Sequence, residues 1–84
     1  MSLKPCIVDV RTPAEFLGGH VNGSINIPLQ EIQVRLEEIK SLPQPIILCC
    51  ASGIRSEQAT QFLSHQGIDC SNGGGWLEVN AKFS

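Results

Sequence analysis

Two kinds of hydrophobic pattern alternate along this chain: short unbroken apolar runs, and longer stretches with apolar residues three or four apart. Cys6-Ile7-Val8-Asp9-Val10 is an apolar run broken by one acid, the pattern of a strand buried on both faces of a parallel sheet. Thr12-Pro13-Ala14-Glu15 follows, with threonine as N-cap, proline at the first helical position and glutamate at the third, a capping box. Gly18-Gly19 stops that helix early, Asn22-Gly23 turns, and Ser24-Ile25-Asn26-Ile27 alternates as a short strand ended by Pro28. Leu29, Ile32, Leu36 and Ile39 recur at helical spacing, which predicts an amphipathic helix over 29–40 with Glu37, Glu38 and Lys40 on its solvated side. Ser41 to Pro45 carries two prolines and reads as a loop.

Ile46 to Cys49 is the next buried strand, and it runs into Cys50-Ala51-Ser52-Gly53-Ile54-Arg55. The spacing predicts a helix over Ser56–His65 with Ala59, Phe62 and Leu63 facing inward and Gly67 ending it. Ile68-Asp69-Cys70 reads as a last short strand, Gly73-Gly74-Gly75 as a flexible turn, and Trp76 to Val79 as one helical turn over the core. Strands alternating with helices predict a three-layer α/β/α sandwich around a small, mainly parallel sheet. Ligands of such sheets bind beyond the carboxyl ends of the strands, which is where Cys50 falls.

The chemistry of the Cys50 loop follows from that placement. Successive backbone N–H groups in a tight loop turn inward as a nest, and a helix start adds unpaired N–H groups and the positive end of a dipole. Gly53 permits the close backbone approach, and Arg55 brings a fixed positive charge to the rim. A thiol there ionises more readily than a free cysteine, because only its anion is stabilised. Cys50 is therefore the candidate nucleophile, with Ala51, Ser52, Gly53, Ile54, Arg55 and Ser56 as the candidate anion cradle.

Composition narrows the setting. Eighty-four residues make one small domain over 1–84, with 42% hydrophobic residues to build its core. A net charge of −2 argues against nucleic acid or an anionic membrane as partner, and no apolar run is long enough to span a bilayer. Cys6, Cys49, Cys50 and Cys70 sit mostly inside apolar runs and show no paired spacing of the Cys-x2-Cys kind, so they read as reduced thiols that hold no metal. No cofactor is implied. Reduced cysteines point to the cytoplasm; the alternative is the periplasm, reached with a signal peptide since removed.

With these segments in place, the chain resembles the rhodanese-like sulfurtransferase family, in its minimal single-domain type. Asp9-Val10-Arg11, Pro13, Glu15-Phe16 and the stretch Gly19-His20-Val21 through Gly23-Ser24-Ile25-Asn26-Ile27-Pro28 look like the family's first signature. Cys50 through Ser56 looks like its active-site loop, and Gly73-Gly74-Gly75-Trp76 is similar to its late glycine-rich turn. The resemblance implies a Cys50 persulfide, formed from a small anionic sulfur donor such as thiosulfate and passed to cyanide or an acceptor thiol, with Arg55 holding the donor's oxygens. It also implies that a strand and helix usual ahead of the Asp-Val-Arg segment are missing. Ile68–Cys70 would then lie at an open sheet edge, where shortness and Asp69 favour a monomer.

Other residues carry quieter expectations. His65 meets a helix dipole at the surface, and His20 is structural. Cys49 points to the opposite side of its strand from Cys50, and Cys70 reaches the site only if its strand lies beside that of Cys50. Asp9 and Arg11 form a fold-fixing pair, and Trp76 covers the core. Two other functions share such a loop. Phosphatases and arsenate reductases use Cys-x5-Arg around a larger anion, whereas Cys50 and Arg55 enclose four residues. A non-catalytic binding module would not need the cysteine.

Overall fold

A computed structural model describes residues 5–83. Four strands form one sheet in the order β2-β1-β3-β4, and every neighbouring pair is parallel. They are β1 (Cys6–Asp9), β2 (Ile25–Asn26), β3 (Ile46–Cys50) and β4 (Cys70–Gly75). The helices are α1 (Pro13–Leu17), α2 (Leu36–Lys40), α3 (Ile54–His65) and α4 (Trp76–Phe83). The apolar runs lie at the centre because both faces of a parallel strand are covered. Val8, Ile46, Leu48 and Cys50 pack on one face with Ile27, Ile39, Ala59 and Leu63, under α2 and α3. Ile7 and Cys49 pack on the other with Val21 and Val79, under α4. The α/β/α layering expected from the sequence is thus present.

The capping box forms as its residues dictate: Glu15 N donates to Thr12 Oγ1 at 3.2 Å, and Thr12 N donates to Glu15 Oε1 at 3.0 Å. Asp9 and Arg11 are buried together, with Arg11 Nη2 donating to Asp9 Oδ2 at 2.7 Å and to Gly19 O at 2.7 Å. The guanidinium also lies 4.8 Å from the centre of the Trp76 ring. One charge pair therefore ties the end of β1 to the loop after α1 and to the start of α4.

Three expectations change. The stretch 29–40 is not one helix: a 3-10 turn at Leu29–Glu31 is followed by further turns and then α2. Arg35 N bonds four residues back to Glu31 O, but Leu36 N bonds three back to Gln33 O. Ile32 and Ile39 are buried and Leu29 and Leu36 half-buried, so the apolar stripe is satisfied without a continuous helix. The 3-10 start follows Pro28, whose φ of −56° sets the entry angle. Secondly, α3 starts at Ile54, so Ile54, Arg55 and Ser56 belong to its first turn.

The third change is the largest. The last strand is Cys70–Gly75, not Ile68–Cys70, and the three glycines lie inside it. They are there for space. The pairing of β3 with β4 slips between Leu48 and Cys49: Leu48 faces Asn72 and Cys49 faces Gly74, leaving Gly73 as the extra residue of a bulge. A Cβ on Gly73 would stand 2.7 Å from both Ile47 Cγ2 and Val79 Cγ2, and one on Gly75 would stand 3.0 Å from Ala51 O. Gly74 takes a φ of +92°, in the left-handed region. The strand leads directly into α4, where Glu78 Oε1 accepts from Gly75 N at 3.1 Å. Among the described residues this strand lies at the sheet edge, and Asp69 precedes it and is no part of it.

Gly73→Ala therefore forces two stiff β-branched neighbours aside. We expect a loss of roughly 1–3 kcal/mol of stability, read as a lower urea midpoint with an unchanged denaturant slope.

Candidate functional site

β3 ends on Cys50, and the chain turns through Ala51, Ser52 and Gly53 into α3. Gly53 makes the turn possible: it is the N-cap of α3 with φ 97°, and a Cβ there would stand 3.2 Å from Gly74 Cα. Its N–H donates to Cys50 Sγ at 2.9 Å. Ser56 N–H donates to the same sulfur at 3.4 Å, and Ser56 Oγ also lies at 3.4 Å. Burial of Cys50 pushes its thiol up. The Ser56 hydroxyl and the backbone N–H groups of Ser56, Ser52 and Gly53 outweigh that, and the thiol falls from 9.0 to about 7.

Of the cradle residues expected from the sequence, Ser52, Gly53 and Ser56 thus act on the sulfur. Ala51 and Ile54 are exposed at the rim. The Arg55 side chain does not bond the sulfur. Its Nη1 and Nη2 donate to Glu15 Oε1 and Oε2 at 2.8 and 2.9 Å, a fork-to-fork pair between α3 and the capping carboxylate of α1. Arg55 and the Thr12 N–H hold the Glu15 carboxyl down at about 2. Glu15 was read from sequence as a helix cap and as part of the family's first signature; its forty-residue separation from Arg55 gives no local signal of the pairing.

Asn72 is the other residue the sequence did not mark. Its Oδ1 accepts from Ser56 Oγ at 2.6 Å and from Gly74 N at 3.0 Å, and its Nδ2 donates to Gly53 O at 3.0 Å. β4 thereby supports the Cys50 loop from behind. The bulge and the glycines that let β4 come so close were the available signal.

The remaining candidates fall away from the sulfur. Cys49 faces the opposite side of the sheet, where burial, with the Asp9 charge adding to it, pushes its thiol up to about 12. Cys70 pairs with Ile46 at the far end of β3 from Cys50, which pairs with Gly75. The two levels are four residue rises apart along β3, roughly 13 Å. His20 stacks on Phe16 and places Nδ1 2.7 Å from Phe16 O, so it serves the end of α1; His65 is exposed at the end of α3. A cleft of about 250 Å³ between the 3-10 turn and α3 is lined by Leu29, Ile32, Phe62 and glutamines, with no titratable group, and lies apart from the loop.

The family model for the rhodanese-like domain matches residues 1–82. This chain belongs to the rhodanese-like family. It is 42% identical over 64 residues to the uncharacterized protein YqhL of Bacillus subtilis, covering 76% of this chain and 50% of that protein. The chain thus spans half the length of that relative. It is 34% identical over 80 residues to the thiosulfate sulfurtransferase GlpE of Shewanella oneidensis, covering 89% of this chain and 78% of that one. A solved rhodanese with anions from E. coli superposes with a TM-score of 0.79 at 33% identity, covering 88% of this chain and 89% of that one.

The geometry makes Cys50 and Cys49 chemically unlike despite their adjacency. Alkylation of Cys50 by iodoacetamide should follow its thiolate, rising through pH 7 and levelling above it, while Cys49 stays unmodified in the folded protein across the same range. Peptide mass mapping of the two sites against pH checks this.

Proposed function

We propose that the chain is a sulfurtransferase that carries sulfane sulfur on Cys50. The observation that carries this reading is a buried sulfur at the carboxyl end of β3, held by inward N–H groups that help to bring its thiol down to about 7. Membership of a family whose relatives include a thiosulfate sulfurtransferase supports the reaction class.

With thiosulfate as donor, the Cys50 thiolate attacks the outer sulfur. The bond between the outer and central sulfur breaks, its electron pair leaves with sulfite, and a Cys50 persulfide anion remains. Cyanide or an acceptor thiolate attacks the outer sulfur in turn, the persulfide S–S bond breaks, and the thiolate returns. The loop N–H groups stabilise negative charge on sulfur in both states without reorganising, which is electrostatic preorganisation. No metal or cofactor enters either step.

Arg55 is the charged group of the loop that a sulfonate oxygen would meet. Its Nη1 and Nη2 each give one hydrogen to Glu15, which leaves further N–H groups for a donor. The short Cys-x4-Arg spacing disfavours the larger anion that a Cys-x5-Arg loop surrounds.

Thiosulfate should add one sulfur atom to the intact protein and cyanide should remove it; Cys50→Ser should abolish both the mass gain and thiocyanate release. Retained turnover in that variant, or hydrolysis of a phosphate ester by the unaltered protein, would overturn the assignment. Arg55→Ala should lower the rate with thiosulfate roughly 10- to 150-fold, but the rate with uncharged iodoacetamide much less. The lost cation leaves Glu15 as an unpaired carboxylate facing an anionic donor, so Glu15→Gln in the Arg55→Ala background should recover part of the loss. Steady-state rates with the two reagents separate these effects.

A further inference from the structure

Ser56 Oγ lies near two acceptors and has one hydrogen. Asn72 Oδ1 is 2.6 Å away and Cys50 Sγ is 3.4 Å away. The Asn72 amide cannot turn over to resolve the competition. Its Oδ1 accepts from Gly74 N, and its Nδ2 donates to Gly53 O and, at 3.2 Å, to Glu57 Oε1, so exchanging O and N would set donor against donor and acceptor against acceptor. The Ser56 hydrogen therefore points to Asn72.

We propose that Asn72 is a positioning residue for the Cys50 sulfur: by taking the Ser56 hydroxyl hydrogen it leaves the anionic sulfur to the backbone N–H groups of the loop, and so sets how nucleophilic that sulfur is. The physical reason is a trade. Each further donor makes a thiol more acidic but its thiolate a weaker nucleophile, and the best attacking thiol titrates near the ambient pH. The backbone groups, with the long Ser56 Oγ contact beside them, already bring Cys50 to about 7, close to that optimum. A full O–H donor in place of that long contact would overshoot it by about 1–2 pH units. Asn72 holds that donor back.

Of the charged groups around the sulfur, Glu57 alone changes its bonding between the states compared, losing the Asn72 Nδ2 donor in the alanine variant. Arg55 of α3 stays paired with Glu15 of α1, Glu57 of α3 stays beside position 72, Glu78 of α4 stays on Gly75, and Cys49 stays protonated behind the strand. The proposal rests on Cys50 being the reacting sulfur. It is read on the thiol itself, so its failure is distinguishable from failure of sulfur transfer.

The test is the pH dependence of Cys50 alkylation by iodoacetamide, followed by peptide mass mapping, in four proteins: unaltered, Asn72→Ala, Ser56→Ala and the double variant. Asn72→Ala should move the midpoint down by about 1–2 pH units and lower the plateau rate above the midpoint by roughly 3- to 10-fold. Ser56→Ala alone should raise the midpoint by no more than about half a unit, because only the long 3.4 Å contact of the hydroxyl to the sulfur is lost. The double variant should match Ser56→Ala. A residue that merely props the loop would raise the midpoint when removed, with or without Ser56, and that result overturns the proposal. So does a downward shift that persists in the double variant. Should Asn72→Ala fail to fold, Ser56→Ala still decides: a midpoint raised by about a unit or more would place the hydroxyl hydrogen on sulfur.

Discussion

The close approach of β4 to β3 is the constraint on which the rest of this small protein depends. Two strands of a parallel sheet pair at an ordinary distance almost anywhere, but here the bulge pushes the backbone of Gly73 between Ile47 and Val79. Any side chain at that position would part the sheet from α4. The same glycines let the C-terminal half of β4 pass beneath the Cys50 turn, so that Asn72 reaches Gly53 and Ser56 and the turn is held from below. Core packing and site geometry are in this sense one arrangement.

Charge organises the same carboxyl end of the sheet one strand over, where Asp9 of β1 faces Cys49 of β3. Asp9 and Arg11 are almost fully buried, a costly placement that the geometry offsets with several hydrogen bonds and a Trp76 face. Removing either partner would strand the other, and the bonds to Gly19 and Trp76 show what would be lost with it: the register of α1 and α4 against the sheet. Among the described residues no buried side-chain nitrogen or oxygen lacks a partner, which is what a low-dielectric interior of this size demands.

How much of this was legible in the sequence depends on the range of each interaction. The capping box at Thr12–Glu15 was readable because its donors and acceptors lie within one turn of chain. The strands at 6–10 and 46–49, and the opposed facing of Cys49 and Cys50, follow from apolar runs and the two-residue period of a strand. The turn after β3 and the N–H groups it aims at Cys50 were readable because a strand end, a glycine and a helix start are all local. The glycine run was misread because its reason lies in Ile47 and Val79, which no local pattern connects to residue 73. The stretch 29–40 was misread more mildly, since several mixtures of 3-10 and α turns bury the same four apolar residues. Arg55 was expected beside the loop, but its partner Glu15 and the support from Asn72 arise only when distant segments meet.

Glu15 links two structures that would otherwise be independent. The same carboxylate closes the first turn of α1 and grips the guanidinium of the anion loop. A helix of five residues does not persist through its own backbone bonds. The first turn of α1 and the orientation of Arg55 therefore depend on each other: a change that unwinds the turn removes the partner of the guanidinium, and a change at Arg55 removes one anchor of the capping carboxylate, a mechanical link carried by one side chain.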